Sequence, residues 1–488
     1  MAKPEPPDPG LPIKLGPCGN GEFDPPPPTP AIAETIRLAN IAVNENARRL
    51  GISRRDFLRS SLGAATTLTV LAACTREDGQ TGGTFVVDPE STTTSTTAAT
   101  TTTTEATLDE AAAEEAVGPL DQELIFDVQN HLLELGPGQN PPGFPQSQCG
   151  EAIPGDCYSI EHFLELVFVD SDTHLAMLSA IPFAPGALSP EVMQRTMEAA
   201  SRVGCDGRVF MQGESFPTSV GLDAMAEVAE AFPVSAFKTY THNGGPPWRL
   251  DDDTGDAYLA QVESLGVSIV SVHKGLSGND PNSSPVDIGP AAAAHPDINI
   301  LVYHSGFESG VAEGPYDPAA PNQGVDRLLN SVGDAGLGPG GNVYAELGST
   351  WRTLMGRPDE AAHLLGKLLL TFGEDNILWG TDSIWYGSPQ DQIQAFRTFQ
   401  ITEQFQEQHG YPALTTEIKR KILGYNAARL FDVDPVSEAC RPDPDLLAGL
   451  REERASASFG VGNHTHPEAA TVALAADRAE ARRRLRDA

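Results

Sequence analysis

Three histidines and one aspartate stand at the ends of apolar runs that are typical of buried parallel strands. His131 follows IFDVQN, His273 ends VSVH, His304 ends LVYH and Asp382 follows NILWGT. A buried parallel strand is continuously apolar, so a polar residue at its end indicates a working surface. Each residue taken alone is more often a hydrogen-bonded core, rim or turn residue. Four of them at four strand ends favour one shared site, and nitrogen with oxygen donors is what a divalent metal requires.

The elements that must position these residues alternate regularly along the chain. Eight apolar runs, at 124–128, 173–181, 207–211, 233–239, 267–272, 298–303, 342–347 and 376–380, are each followed by a helical stretch. Examples of the predicted helices are 189–203, 223–231 and 359–370, with a last helix at 414–430. Strands that alternate with helices pair in parallel, and eight such units close a (β/α)8 TIM barrel. A doubly wound open sheet is the alternative, but the sequence has no Gly-rich phosphate loop to support it.

In such a barrel the chemistry lies at the carboxyl ends of the strands. Besides the four residues above, strand one presents Gln129, strand four ends with Lys238 and strand seven with Glu346. Lys238 and Glu346 could simply pair with each other. Gln129 lies on the same face as His131, because strand side chains alternate.

These strand ends resemble those of the amidohydrolase superfamily, in its amidohydrolase-related (family 2) group. The resemblance is carried by D-x-x-x-H on strand one, the two later strand-end histidines, GTD at strand eight and the closing ILGYNAARLF. It covers roughly residues 120 to 435. The group includes decarboxylases similar to aminocarboxymuconate-semialdehyde decarboxylase. The resemblance therefore implies a metal-dependent enzyme on a TIM barrel.

The resemblance also implies a role for each strand-end residue. His131, His273 and Asp382 match the family's ligands, and a Zn²⁺ ion is expected, with Mn²⁺ or Fe²⁺ as alternatives. Gln129 stands where the family has its first histidine, and a neutral amide is a weaker ligand than imidazole. Lys238 matches a lysine that is carboxylated in binuclear relatives, or it is an ordinary ammonium.

Three functions follow from this assignment. The first is hydrolysis of an amide, ester or lactone, with Asp382 as general base for a metal-activated water and His304 as ligand or oxyanion donor. The second is metal-dependent decarboxylation or another lyase step at the same site. The third is a catalytically inactive, surface-anchored binding lipoprotein, which the loss of the histidine at Gln129 would explain.

Two loops are predicted to bring substrate-binding residues to the rim. HNGGPPWRL carries Trp248 and Arg249, and GSTWRTLMGR carries Trp351 and Arg352, which with Glu346 would suit an aromatic or acidic small molecule. The net charge of −35 argues against nucleic acid as a partner. The sequence does not fix the oligomeric state, and a homodimer is one option.

The first 73 residues are expected to be an export signal with a long leader. SRRDFLR has paired arginines before a short apolar run that ends in Leu71-Ala72-Ala73-Cys74, which resembles a bacterial lipobox. The prediction is twin-arginine export and a lipid anchor on Cys74 at the outer face of the cell membrane. Residues 74–118, rich in threonine, are predicted to be a disordered tether.

The remaining boundaries follow from composition. The barrel is expected to span 119–435, with a helical appendage at 436–488. Cys149 and Cys157 bracket a Pro/Gly-rich loop and could form a disulfide after export.

Overall fold

A computed structural model of the chain describes residues 10–17, 19–23, 25, 27–87, 110–134, 158–182, 185–202, 207–319 and 322–435. Ten strands form a two-stranded antiparallel sheet of β1 with β10 and an eight-stranded parallel sheet of β2 to β9 in chain order. They are β1 Gly83–Phe85, β2 Phe126–Asn130, β3 Leu175–Leu178, β4 Val209–Ser215, β5 Val234–Tyr240, β6 Ile269–His273, β7 Asn299–Tyr303, β8 Val343–Glu346, β9 Ile377–Leu378 and β10 Phe399–Ile401. The eight parallel strands coincide with the eight predicted apolar runs and confirm the TIM barrel.

Backbone hydrogen bonds close the sheet between its first and last strands. Val128 N donates to the carbonyl of Trp379 at 3.0 Å, and Asp382 N donates to the carbonyl of Gln129 at 3.0 Å. The carboxylate of Asp127 accepts a further bond from Thr381 N. The chain segment that carries Gln129 is therefore held directly beside the segment that carries Asp382.

Helices surround the barrel and fill the N-terminal region. They are α1 Pro30–Leu50, α2 Arg54–Arg59, α3 Ser61–Glu77, α4 Glu110–Val117, α5 Ile160–Leu164, α6 Pro190–Arg202, α7 Asp223–Ala231, α8 Asp253–Ser264, α9 Ile288–Ala294, α10 Asp326–Asp334, α11 Thr350–Leu354, α12 Pro358–Phe372, α13 Gln390–Thr398, α14 Glu403–His409, α15 Thr416–Arg420 and α16 Asn426–Leu430. The predicted last helix is continuous, because a π-helical turn, Lys421–Tyr425, joins α15 to α16.

Aromatic rings fill the barrel at the amino ends of its strands. Phe126, Phe210 and Phe431 have ring centroids 5.1 to 6.3 Å apart. Such pairs stabilise a core beyond the area they bury. This end of the barrel is therefore packed and apolar, and the polar strand-end residues are left to the opposite end.

The N-terminal region, which the sequence predicts to be an export signal with a long leader, is packed against other helices of the chain. Helices α1 and α3 lie against each other, and Phe57, Leu68 and Leu71 are buried in the same hydrophobic cluster as the helices around the barrel. Cys74 is itself buried inside α3. The apolar run after the paired arginines thus has a core to pack in, while export and lipidation at Cys74 stay predictions.

Part of the predicted tether is also folded. Strand β1 pairs with β10, with Gly83 opposite Ile401, and α4 contacts α3. The threonine-rich residues 91–107, Cys149, Cys157 and the predicted appendage at 436–488 lie outside the described residues. Over the ranges that the structure describes, every helix is too short or too polar to cross a membrane.

Candidate functional site

The predicted strand-end residues converge at the carboxyl end of the barrel, in a region we call the mouth. Its members are Gln129, His131, Lys238, His273, His304, Glu346 and Asp382, joined by Asn20 and Glu22 from the N-terminal segment. All of them except Glu22 are buried. A dense group of titratable side chains at this end of a TIM barrel is what a catalytic site requires.

Asp382 is the most heavily contacted carboxylate of the mouth. Its Oδ1 lies 3.1 Å from His131 Nε2 and accepts from Gln129 Nε2 at 3.1 Å. Its Oδ2 accepts from Asn20 Nδ2 at 2.8 Å and from Ser349 Oγ at 2.5 Å. Burial raises the pKa of Asp382, but the hydrogen bond and positive field of His131 outweigh it and lower the pKa below its usual value. Asp382 is therefore an ionised carboxylate.

Two histidines have their tautomers set by backbone carbonyls. Nδ1 of His131 lies 2.6 Å from the Ser179 carbonyl, and Nδ1 of His304 lies 2.7 Å from the Gly348 carbonyl. A carbonyl only accepts, so the proton is assigned to Nδ1 in each ring, and Nε2 faces the mouth. Carbonyl partners of this kind orient the histidine ligands of metal sites. Burial, followed by the field of His273, lowers the pKa of His304 to about 4, so its ring is neutral.

His273 completes a group of three metal-ligand side chains. Ligand atoms of His273, His304 and Glu22 all lie within 4.8 Å of one another. His273 is buried, and neither of its ring nitrogens makes a hydrogen bond. Its Nε2 lies 2.9 Å from Glu22 Oε1. Buried polar atoms without hydrogen bonds are rare, and a metal ion beside Nε2 would satisfy that atom. The donor set of two imidazoles and a carboxylate fits Zn²⁺ or Mn²⁺.

Gln129 contacts the mouth through its side-chain amide, and its ligand role stays a prediction. Its Nε2 donates to Asp382 and lies 3.4 Å from His304 Nε2, whereas its Oε1, the only atom that could bind a metal, has no hydrogen bond. Gln129 thus contacts the carboxylate and the neutral imidazole as a donor.

Lys238 lies on β5 with its ammonium inside the barrel. Nζ is buried without a hydrogen bond, and it lies 3.7 Å from the ring centroid of Tyr303 and 4.6 Å from that of Tyr240. The pairing with Glu346, which the sequence left open, is not formed. Burial lowers the pKa of Lys238 to about 7, against the opposing fields of Glu22, Glu346 and Asp382.

Glu346 is held beneath the mouth by backbone groups. Its carboxyl oxygens accept from His304 N at 3.0 Å and from Gly348 N at 2.5 Å, and burial raises its pKa to about 8. A Cβ added at Gly380 would come within 1.7 Å of its Oε1, and one at Gly348 within 2.6 Å. The two glycines therefore make room for this carboxyl group.

Three non-glycine residues of the mouth have left-handed backbone conformations. The φ angles are 65° at His304, 56° at Ser349 and 58° at Asp382. Such conformations cost of order 1–3 kcal/mol each and cluster at active sites, where the surrounding structure holds them. Two of the reactive groups, His304 and Asp382, and the neighbouring Ser349 thus lie at strained backbone positions.

The four predicted rim residues divide into three placements. Trp248 packs edge-on to Tyr258, and Trp351 packs against Phe396 and Phe399 in the core, so neither tryptophan lies at the rim. Arg249 pairs with Asp251 at the surface.

Arg352 alone keeps a position that suits a ligand. Its guanidinium is buried, with Nε and one terminal nitrogen free of hydrogen bonds, and it lies 5.7 Å from the ring of Tyr386. The hydroxyl of Tyr386 contacts Ser349 at 2.5 Å, and Ser349 contacts Asp382. Arg352 also lines a cleft together with Leu15, Phe23 and Ile32 of the N-terminal segment.

Sequence reasoning missed Asn20, Glu22 and Ser349. Ser349 follows a predicted strand end directly, so its place in the GST turn was a usable signal. Asn20 and Glu22 lie in the segment that was expected to be removed, and nothing in their local sequence points to a site.

Comparisons with solved structures give distant likenesses that cover about two thirds of this chain. 5-Carboxyvanillate decarboxylase from Novosphingobium aromaticivorans, with bound manganese, is 14% identical, with 65% of this chain and 99% of that chain covered and a TM-score of 0.41. 2,6-Dihydroxybenzoate decarboxylase from Rhizobium is 15% identical, with 64% and 99% covered and a TM-score of 0.38. An uncharacterised TIM-barrel protein from Bordetella bronchiseptica is 16% identical, with 63% and 99% covered and a TM-score of 0.42.

The sequence itself matches one family model. No protein of curated function matches the chain significantly. Residues 191–433 match the model described as Amidohydrolase, and this range includes β4 to β9 with His273, His304 and Asp382. Over these residues the barrel of this chain is therefore similar to the amidohydrolase family.

Proposed function

We propose that the chain is a metal-dependent lyase that removes a carboxyl group from a small organic acid as CO₂. The observation that carries the proposal is Lys238, a buried ammonium without a hydrogen bond, on the strand next to the one that ends at His273. A buried cation without a partner is costly, and a bound anion removes that cost. With a pKa near 7, Lys238 would hold its proton more firmly once a substrate carboxylate lies beside it.

Arg352 supports an acidic substrate independently. Two of its guanidinium nitrogens are buried and make no hydrogen bond, and a guanidinium suits a carboxylate because the two can pair through two parallel bonds. Of the residues predicted from the sequence to bind substrate, Arg352 is the one we retain. A substrate with two acidic or polar ends would use Lys238 and Arg352 together.

A divalent ion held by His273 and His304 would supply positive charge that orients the substrate and stabilises the electrons left behind by CO₂. In the reaction the carbon–carbon bond to the carboxylate breaks, the electron pair stays on the substrate carbon, and a proton replaces the lost group. We assign this proton to His131: with a second proton, taken up from solvent, on Nε2 beside the ionised Asp382 at 3.1 Å, the ring would donate that proton to the substrate carbon and return to its Nδ1-protonated neutral form.

Hydrolysis is the alternative that one observation favours. An ionised Asp382 beside His131 could equally accept a proton from water that attacks an amide or ester. In hydrolysis Asp382 and His131 would accept a proton, whereas in decarboxylation they would supply one.

The test measures both reactions on one preparation. Full-length protein loaded with Mn²⁺ or Zn²⁺ is incubated with a panel that contains 2,6-dihydroxybenzoate and related acids, with simple amides and esters beside them. We expect CO₂ release that Lys238→Met lowers by at least about a hundredfold, roughly 2.7 kcal/mol. Hydrolysis without CO₂ release would overturn the lyase assignment. Absence of both metal binding and turnover would favour the binding lipoprotein.

A further inference from the structure

The N-terminal segment crosses the mouth and is fixed there by polar contacts. Lys14 Nζ donates to the carbonyls of Tyr386 at 3.0 Å and Ser388 at 2.7 Å, and its backbone N donates to Asp391 at 3.2 Å. Asn20 is buried and bonds Asp382. These contacts hold the segment at both ends of the stretch that precedes Glu22.

Asn20 also fixes the carboxylate of Glu22. Asn20 Nδ2 donates to Glu22 Oε2 at 2.6 Å, and the backbone N of Glu22 donates to Asn20 Oδ1 at 3.0 Å. The side chain of Glu22 is 22% exposed, and it reaches into the mouth because its Oε1 lies against His273. One oxygen is held by Asn20, and the other is left to face the histidines.

The second oxygen, Oε1, lies where a metal ligand would be expected. Glu22 Oε1 lies 2.9 Å from His273 Nε2, yet His273 Nε2 makes no hydrogen bond. The two possible metal-ligand atoms thus approach closely without a hydrogen bond. With a ligand atom of His304 they form a group within 4.8 Å, so all three face a common point. A cation at that point would satisfy all three atoms.

The charges of the mouth leave room for one more anionic ligand of a divalent ion. Gln129 contributes no charge, and the carboxylate of Asp382 is already contacted by Asn20, Gln129, His131 and Ser349. Without Glu22 the ion would meet only the imidazoles of His273 and His304 on this side. A carboxylate from elsewhere in the chain balances the charge of a divalent ion.

We propose that Glu22 is a ligand of the divalent metal ion, together with His273 and His304, and that the active enzyme therefore retains its N-terminal segment. The inference rests on the metal centre of the proposed function and adds a ligand that the barrel does not encode. Cleavage before Cys74 would remove Glu22, so a chain cut there would lack this ligand.

The test compares Glu22→Gln with Glu34→Gln in the full chain. Glu34 is an exposed residue of α1 that pairs with Arg37, so its variant makes the same chemical change away from the mouth. Metal-free proteins are titrated with Mn²⁺, free Mn²⁺ is followed by electron paramagnetic resonance, and the affinity is checked by calorimetry. We expect Glu22→Gln to weaken binding at least about a hundredfold and Glu34→Gln to leave it unchanged. Thermal unfolding of the metal-free proteins shows that each variant is folded.

Glu22→Asp keeps the charge on a shorter side chain, and we expect it to lose less affinity than Glu22→Gln. Wild-type binding that Glu22→Gln leaves within threefold overturns the assignment of Glu22 and leaves the metal centre standing. Absence of Mn²⁺ and Zn²⁺ binding by the wild type overturns the metal centre itself. Tighter binding by Glu22→Gln would make the segment a plug of the site and would also overturn the proposal.

Discussion

The mouth and the helical layer bury charged groups in opposite ways. Outside the barrel, Arg397 of α13 is matched completely, with Nε donating to Glu123 at 3.0 Å, one terminal nitrogen to Asp172 at 2.7 Å and to the Val117 carbonyl at 2.9 Å, and the other to Glu123. In the mouth, Lys238 and His273 are buried and make no hydrogen bond. A fully hydrogen-bonded network of buried charges helps to specify a fold. Buried polar groups without hydrogen bonds at a strand end are instead available to bind a ligand. The comparison separates stability from catalysis within one molecule.

The sharpest way to break this comparison is to remove one charge from the mouth. Asp382→Asn removes the negative charge beside His131. It also changes the hydrogen-bonding atoms that face Asn20 and Ser349. We expect turnover to fall at least about a thousandfold, roughly 4 kcal/mol, and thermal stability to fall as well, because the lowered pKa of Asp382 means that its charge also stabilises the fold. Steady-state CO₂ release and a thermal unfolding curve measure the two effects. Asp172→Asn, in the helical layer, is the matched control, and equal turnover of the two variants would contradict the division.

The reverse experiment removes a charge from the helical layer. Glu123→Gln leaves Arg397 buried with Asp172 as its remaining carboxylate. Breaking a buried pair costs 3–5 kcal/mol, and the residual partner puts our expectation at about 3 kcal/mol of unfolding free energy. Urea unfolding measures it. Glu417→Gln breaks an exposed pair with Arg420 and should cost under about 0.5 kcal/mol. Loss of turnover per folded molecule in Glu123→Gln would show that the two regions are coupled.

His363 belongs to neither side of this comparison, because it is a buried titratable group outside the mouth that forms no ion pair. His363 of α12 bonds the hydroxyl of Tyr411 at 3.0 Å and packs on Phe405. Burial, and then the fields of His409 and Lys367, lower its pKa to about 4. As pH falls from about 6.5 to 4 the unfolded chain takes up the proton first, so stability is lost across this window.

His363→Gln should remove that loss. The drop in unfolding free energy between pH 7 and pH 4.5 is expected to shrink by about 2 kcal/mol, because glutamine takes up no proton. Urea unfolding at a series of pH values measures the change, and turnover at pH 7 should stay as in the wild type. An unchanged pH slope would assign the acid sensitivity to other groups.

The sequence was sufficient for the barrel and for most of the mouth. Continuous apolar runs encode buried parallel strands, and a strand that ends in His or Asp carries its reactive group to a known face, so His273, His304 and Asp382 were found from local pattern alone. Trp351 was misplaced because a loop residue that faces the core and one that faces solvent have the same local sequence. Gln129 kept its predicted location, yet the amide nitrogen and not the oxygen meets the cluster, which only the neighbouring hydrogen bonds decide.

The N-terminal segment was the largest departure. Its apolar run, read as part of an export signal, is also a helix with a buried face in the structure. Both interpretations rest on the same residues, because a moderately apolar stretch satisfies either. The local sequence carries no information about the surface that packs against α3. That surface is formed by later elements of the chain, such as α4 and α13.

The hydrogen bond between Asn20 and Asp382 spans 362 residues, and this separation governs the order in which the molecule is made. At a synthesis rate of about 5–20 residues per second, Asp382 emerges roughly 20 to 70 s after Asn20. During that interval α1 to α3 can form from local contacts, whereas closing so long a loop must wait for the last strand. The mouth is therefore completed at the end of folding, and a chain stalled before β9 would have folded helices but no finished site.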